Sequence, residues 1–187
     1  MPTLLFALIA AALASMGGRD QRLIAAFAQR LGPASGLLLT GWLVAFVTAA
    51  IAAWVGSAMA GLLPPAAKQM LAAIALALAG VEMLWPRSDR EPQEPTRSLG
   101  AFAIVLAARQ IGDGPRFLIF AIAAAGNSPA LAAAGGAVGS AAALTLGWSL
   151  ASRLARRLPL KVLRLVIAAV LLLAGAVIAI LARGLAG

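Results

Sequence analysis

Apolar stretches of membrane-spanning length alternate along this chain with short polar joints. Gly36–Leu63, Pro129–Ser152 and Leu165–Ala182 carry no charge, and Met70–Pro86 carries only Glu82. About 20 mostly apolar residues cross a ~30 Å hydrocarbon core as a helix, so each stretch predicts one transmembrane helix. Thr3–Ala28 and Leu99–Ala125 also have the length, but polar and charged residues interrupt both. The pattern predicts an all-α membrane protein of six transmembrane helices. The first stretch ends in Ala12-Leu13-Ala14, a possible leader cleavage signature, yet Met1-Pro2-Thr3 lacks the positive region a leader needs. It is expected to stay as the first helix. The joints are short except Arg87–Ser98, where Arg87, Arg90 and Arg97 balance Asp89, Glu91 and Glu94 around Pro92 and Pro95. That segment reads as a solvated connector between two units, 1–86 and 99–187.

The two units repeat at an offset of 95 residues without a gap. Gly17 matches Gly112, Gly41 matches Gly136, Leu63-Pro64 matches Leu158-Pro159, and Ala79-Gly80 matches Ala174-Gly175. Leu and Ala matches come cheaply in such a composition; glycines and prolines do not, because each marks a backbone feature. Three helices per unit is an odd number of crossings. The second unit must then enter from the opposite side, giving two inverted three-helix repeats, an architecture of secondary transporters.

Composition narrows the class. Hydrophobic residues make up 63% and charged residues 11%, with a mean hydropathy of +0.98, where soluble domains are about half apolar and a quarter charged. The lipid bilayer is the expected partner. The net charge of +9 reads as loop charge, and no nucleic-acid partner is expected. Arg30, Arg87, Arg90, Arg97, Arg153, Arg156, Arg157, Lys161 and Arg164 fall on one side of the predicted topology, against Lys68 and Arg183 on the other. The positive-inside rule places the first side in the cytoplasm and both termini outside, in a bacterial inner membrane. The chain has no Cys and no His, which excludes thiolate and imidazole chemistry. No nucleophile–base pair or cofactor motif is visible, so neither an enzyme nor a bound cofactor is expected.

The candidate site lies in the two interrupted stretches. The offset superposes Ser15-Met16-Gly17-Gly18-Arg19-Asp20-Gln21 on Gln110-Ile111-Gly112-Asp113-Gly114-Pro115-Arg116. Each holds glycines and charges well inside a spanning helix, where charge costs about 2.5–3.5 kcal/mol on insertion scales. Paired helix breaks of this kind point to a substrate site between the repeats. Arg109, Asp113 and Arg116 fall at i, i+4 and i+7, on one face of an unbroken helix. Glu82, near the end of its helix, is expected to reach the interface.

These segments resemble the manganese/calcium–proton exchanger family of the Golgi transmembrane protein 165 type. Its two inverted repeats each open with a motif of the form E-x-G-D-[KR]-[ST], often followed by Gln. The resemblance covers essentially the whole chain, including Asn127-Ser128-Pro129 after the second motif and the basic turn Arg153–Lys161. It implies divalent cation export, of Mn²⁺ or Ca²⁺ as the transported ion, against protons. Matched position by position, Ser15 and Gln110 stand where the family has Glu, and Gly18 where it has the first Asp. Gly112 and Asp113 keep the pattern, Arg19 fits the basic position, and Asp20 replaces the hydroxyl residue.

The resemblance makes Asp113, Asp20 and Gln110 the expected metal ligands. Ser15, Arg19, Arg109 and Arg116 complete the ion pathway. Four guanidiniums, those of Arg19, Arg22, Arg109 and Arg116, outnumber two carboxylates in the motifs. Divalent cations prefer anionic oxygen, so the alternatives are a transporter of an anion or amino acid, or a non-transporting relative that lost its ligands.

Overall fold

In a computed structural model, residues 1–32, 34–85, 98–126, 128–150 and 159–184 are described. Most of the connector Arg87–Ser98, together with Asn127 and the basic positions 153–157, lies outside them. Among the described residues the chain is helical throughout: α1 (Pro2–Ser15), α2 (Arg19–Leu31), α3 (Ser35–Gly61), α4 (Pro65–Leu84), α5 (Leu99–Gln110), α6 (Gly114–Ala125), α7 (Pro129–Leu150) and α8 (Leu160–Gly184). Proline stands in the first turn of α1, α4 and α6, where its missing N–H leaves no bond unmade.

Helices α3, α4, α7 and α8 are each long and apolar enough to cross a membrane. The pair α1 and α2 qualifies jointly as a fifth span, bent by 62° at its break. The protein is therefore a multi-pass membrane protein. The first and fourth predicted helices are not single rods: each is two helices joined by a short turn. Helices α5 and α6, apolar but of 12 residues each, reach only about 18 Å apiece at 1.5 Å per residue.

Glycine sets both breaks. Gly17 (φ 66°) and Gly112 (φ 75°) take the left-handed conformation just past the ends of α1 and α5, a helix stop that only glycine adopts cheaply. Past each, a short bond tightens the turn: Gly18 N–H to Ser15 O (3.0 Å) and Asp113 N–H to Gln110 O (3.4 Å). Helix bounds recur accordingly. Ser15 and Gln110, Arg19 and Gly114, and Pro65 and Leu160 each stand 95 positions apart.

Small residues let these helices approach closely, which is how helices gain packing energy where lipid removes the hydrophobic drive. Helix α1 lies on α7, with Gly135 and Gly139 against the backbone carbonyls of Leu4 and Leu8. Helix α4 lies on α8 through two matching contacts. A Cβ on Gly80 would meet Ala168 O at 3.1 Å and Leu172 Cγ at 2.8 Å, and one on Gly175 would meet Ala73 O at 3.0 Å and Ala77 N at 3.4 Å. Residue numbers fall along α8 as they rise along α4, so the pair is antiparallel. Helix α6 is the most enclosed short helix, packed by α3, α4, α1 and α7, and it carries Arg116 into the interior.

Candidate functional site

The two breaks meet. Arg19 Nη2 donates to Arg109 O (3.3 Å), and Arg109 Nη1 returns a bond to Arg19 O (3.5 Å). Arg109 therefore belongs to the seam between the breaks. The expected face of Arg109, Asp113 and Arg116 does not form, because α5 ends at Gln110 before Asp113 is reached.

The second break is locked from inside. Asp113 is the N-cap of α6: Oδ1 accepts from Arg116 N–H (2.9 Å), and Oδ2 takes the Arg116 guanidinium at 3.4 Å. That guanidinium also donates to Thr48 Oγ1 (2.8 and 3.1 Å), to Ser140 Oγ (3.3 Å) and to Gln110 Oε1. Thr48 donates onward to Gln110 Oε1 at 2.6 Å. Buried charge is tolerated when paired and fully hydrogen-bonded, and this arrangement satisfies Arg116 from α3, α5, α7 and its own helix start. Two expected cation ligands are thereby occupied: both Asp113 oxygens and the Gln110 carbonyl already hold donors.

The first break is locked by an amide in the matching place. Gln21, 95 positions before Arg116, accepts from Gly17 N–H (2.7 Å) and donates to Ala143 O (2.8 Å) on α7. Ala143 is in turn the 95-residue counterpart of Thr48. One half thus uses a neutral side chain where the other uses a cation.

Between the breaks is a cavity of about 20 Å³, lined among others by Ser15, Arg19, Asp20, Glu82, Asp113 and Arg164. It has room for about one water-sized particle. Asp20 lies within side-chain hydrogen-bonding reach of Gln110 and Asp113 and within electrostatic range of Arg116 and Arg19. Its Oδ1, the Gln110 Nε2 and the Arg19 Nε are buried without a hydrogen-bond partner among the described residues. Of the three carboxylates in the wall, Asp20 is the one with an oxygen that no hydrogen bond of good geometry holds.

Glu82 does not extend to the interface. Its carboxylate sits in the cavity wall, 3.8 Å from Arg19 Nη2 and 3.7 Å from Arg164 Nη2, and accepts from Gly114 N–H at 3.3 Å. Arg164, counted above only as topogenic charge, is part of the same cluster. Among the described residues no three His, Cys, Asp or Glu side chains converge closely enough to hold a metal ion.

Sequence reasoning thus found Ser15, Arg19, Asp20, Arg109, Gln110, Asp113 and Arg116, and the structure brings all seven to the two breaks. It missed Glu82, Arg164, Thr48 and Ser140. Thr48 and Ser140 did carry a signal, as isolated hydroxyls midway along otherwise apolar stretches. Compared with protein-family models, curated proteins and solved structures, the chain matches none of them.

Proposed function

We propose that this chain is a secondary transporter of the bacterial inner membrane that exchanges a small cation for protons. The observation that carries the reading is the meeting of two glycine-broken helices around a cavity walled by Asp20, Glu82 and Asp113. Broken helices between repeats are where secondary transporters hold their substrates. In this reading α1 with α2 and α5 with α6 are each one broken span, making six in two inverted repeats. The matching contacts of Gly80 and Gly175 support it. A two-fold axis along the membrane normal relates parallel helices, whereas antiparallel α4 and α8 call for an axis in the membrane plane. Reporter fusions after Arg30, within Arg87–Ser98 and after Arg157 are expected to report cytoplasm, and fusions after Pro65 and at Gly187 the outside. A cytoplasmic C-terminus would overturn the inverted six-span arrangement.

Size favours an ion as cargo. The cavity has room for about one water-sized particle, and the resemblance to the manganese/calcium–proton exchangers suggests Mn²⁺ or Ca²⁺. Asp20, with its open oxygen, is the first ligand in this reading, with Ser15 beside it. One observation favours the alternative of an anion: Arg19 and Arg164 share the cavity wall. Proteoliposomes holding the purified chain separate the two. A pH gradient is expected to drive Mn²⁺ or Ca²⁺ uptake well above that of empty vesicles, with chloride, phosphate and amino acids unmoved. Uptake of an anion with neither cation transported would replace the cation by the anion.

A further inference from the structure

Glu82 is seated the way a free anion is seated. Its Oε1 lies 3.8 Å from Arg19 Nη2 of α2 and its Oε2 lies 3.7 Å from Arg164 Nη2 of α8. Oε2 also accepts from the first backbone N–H of α6, that of Gly114, at 3.3 Å. Guanidiniums and helix starts are the donors with which proteins hold anions. Glycine at 114 leaves room for the approach, because a Cβ there would stand 3.3 Å from Glu82 Oε2. The Glu82 side chain is 9% exposed and that of Arg164 15%, so water competes little for the seat.

The two guanidiniums hold Glu82 loosely. Charge-assisted hydrogen bonds run about 2.7–2.9 Å, and both contacts are longer by most of an ångström. Arg19 keeps a further donor in reserve, a buried Nε with no hydrogen-bond partner among the described residues. Glu82 stands two residues from the end of α4, where a flexible side chain can turn its head toward the interface. Charge then calls for a replacement. Asp20, Glu82 and Asp113 balance Arg19, Arg164 and Arg116, three against three. With Glu82 turned out, two carboxylates face three arginines, a formal +1, and uncompensated charge in a low-dielectric site is strongly disfavoured. One monovalent anion restores the balance. The cavity has room for about one water-sized particle, and the departing carboxylate adds its own volume.

We infer that Arg19, Arg164 and the start of α6 form a binding site for a small monovalent anion of the halide or formate class, with the Glu82 carboxylate as its tethered occupant. A free anion takes the seat when Glu82 swings out. It then satisfies Arg19 and Arg164 without tying them to α4. The inference goes beyond the exchange proposed above, because it concerns what the arginines hold and not which ion crosses the membrane.

Two measurements on the full chain in detergent test this. The first is chloride binding, read from the broadening of the ³⁵Cl resonance, with gluconate, too large for the cavity, holding the ionic strength constant. Wild type is expected to bind chloride saturably. Arg164→Gln should abolish that binding, whereas Arg183→Gln, which removes the same charge from the last turn of α8, should leave it intact. Glu82→Gln is expected to bind about tenfold more tightly, a difference of ~1.4 kcal/mol, because no carboxylate competes for the seat. Equal binding by Glu82→Gln and wild type, or binding that survives Arg164→Gln, overturns the proposal. The second measurement is chemical rescue. Glu82→Ala takes away the carboxylate that the two arginines share, and it is expected to unfold at a lower temperature in gluconate. Formate, a carboxylate without the tether, should raise that midpoint by several degrees through mass action and raise wild type less. If Glu82 is only a brace, formate stabilises the variant no more than wild type, and the anion site is refuted. Neither measurement depends on transport. A chain that binds chloride in this way and carries no cation loses the cation exchange alone; one that carries Mn²⁺ and has no chloride seat loses the anion site alone.

Discussion

Arg116→Met is expected to cost the protein its fold. Methionine fills a similar space but leaves the Asp113 carboxylate, the Gln110 carbonyl and two hydroxyls without their shared donor. Removing one partner of a buried ion pair costs about 3–5 kcal/mol. Whole-domain stabilities are about 5–15 kcal/mol, so the loss takes a large share of the total. Thermal unfolding in detergent, followed by size-exclusion recovery, should show a sharply lowered midpoint and mostly aggregated material. Arg116→Lys should recover only part of this, since an ammonium cannot reproduce a planar fork serving partners on several helices. The double variant Arg116→Met with Asp113→Asn should be more stable than Arg116→Met alone, because asparagine still caps α6 and position 113 no longer carries an unpaired charge. A double variant no better than the single would show that the carboxylate is not what Arg116 neutralises.

Asp20→Asn is expected to bring cation uptake down to that of empty vesicles while the protein inserts and unfolds normally. The carboxylate has an oxygen with no partner, in a cavity large enough for an ion. Arg116 and Arg19 lie within its electrostatic range, but its side chain caps no helix as that of Asp113 caps α6. Asp113→Asn should be milder, because the oxygens of Asp113 are already engaged by α6. This ordering differs from the one the family resemblance implies, in which Asp113 is the motif carboxylate that remains in place. Uptake assays on the two variants side by side decide it: full activity of Asp20→Asn, or loss confined to Asp113→Asn, would return the ion to the second motif.

Much of this was legible in the chain. Runs of apolar residues gave the spanning helices to within a few positions, because length and hydropathy are local properties. The breaks were legible because Gly17, Gly112 and Pro115 act through their own backbone. What these breaks do to neighbouring helices was not. Glu82 lies two residues from the end of α4, a place from which a carboxylate ordinarily reaches water. Yet α1 has only 14 residues, about 21 Å of helix, so its broken end stops short of a full crossing and comes level with the start of α8. A charge near the end of α4 thus finds itself beside the break. The same reasoning explains Arg109. A count of i, i+4 and i+7 presumes an unbroken helix, and the left-handed Gly112 removes that premise. Thr48 and Ser140 show a different limit: their partner is an arginine on another helix, and one sequence does not say which hydroxyl an arginine will meet.

The enclosure of Arg116 and Asp113 also sets how the protein meets dissolved salt. Screening is a property of the solution, with a Debye length of about 8 Å at physiological ionic strength, and it acts where mobile ions can come between two charges. The Arg116 and Asp113 side chains are 6% and 9% exposed, which leaves no room for such ions. Concentrated electrolyte therefore weakens whatever the exposed basic residues hold at the membrane surface, anionic headgroups included, and passes over the interior network. The two sets of arginines differ in their environment alone, and ionic strength tells them apart.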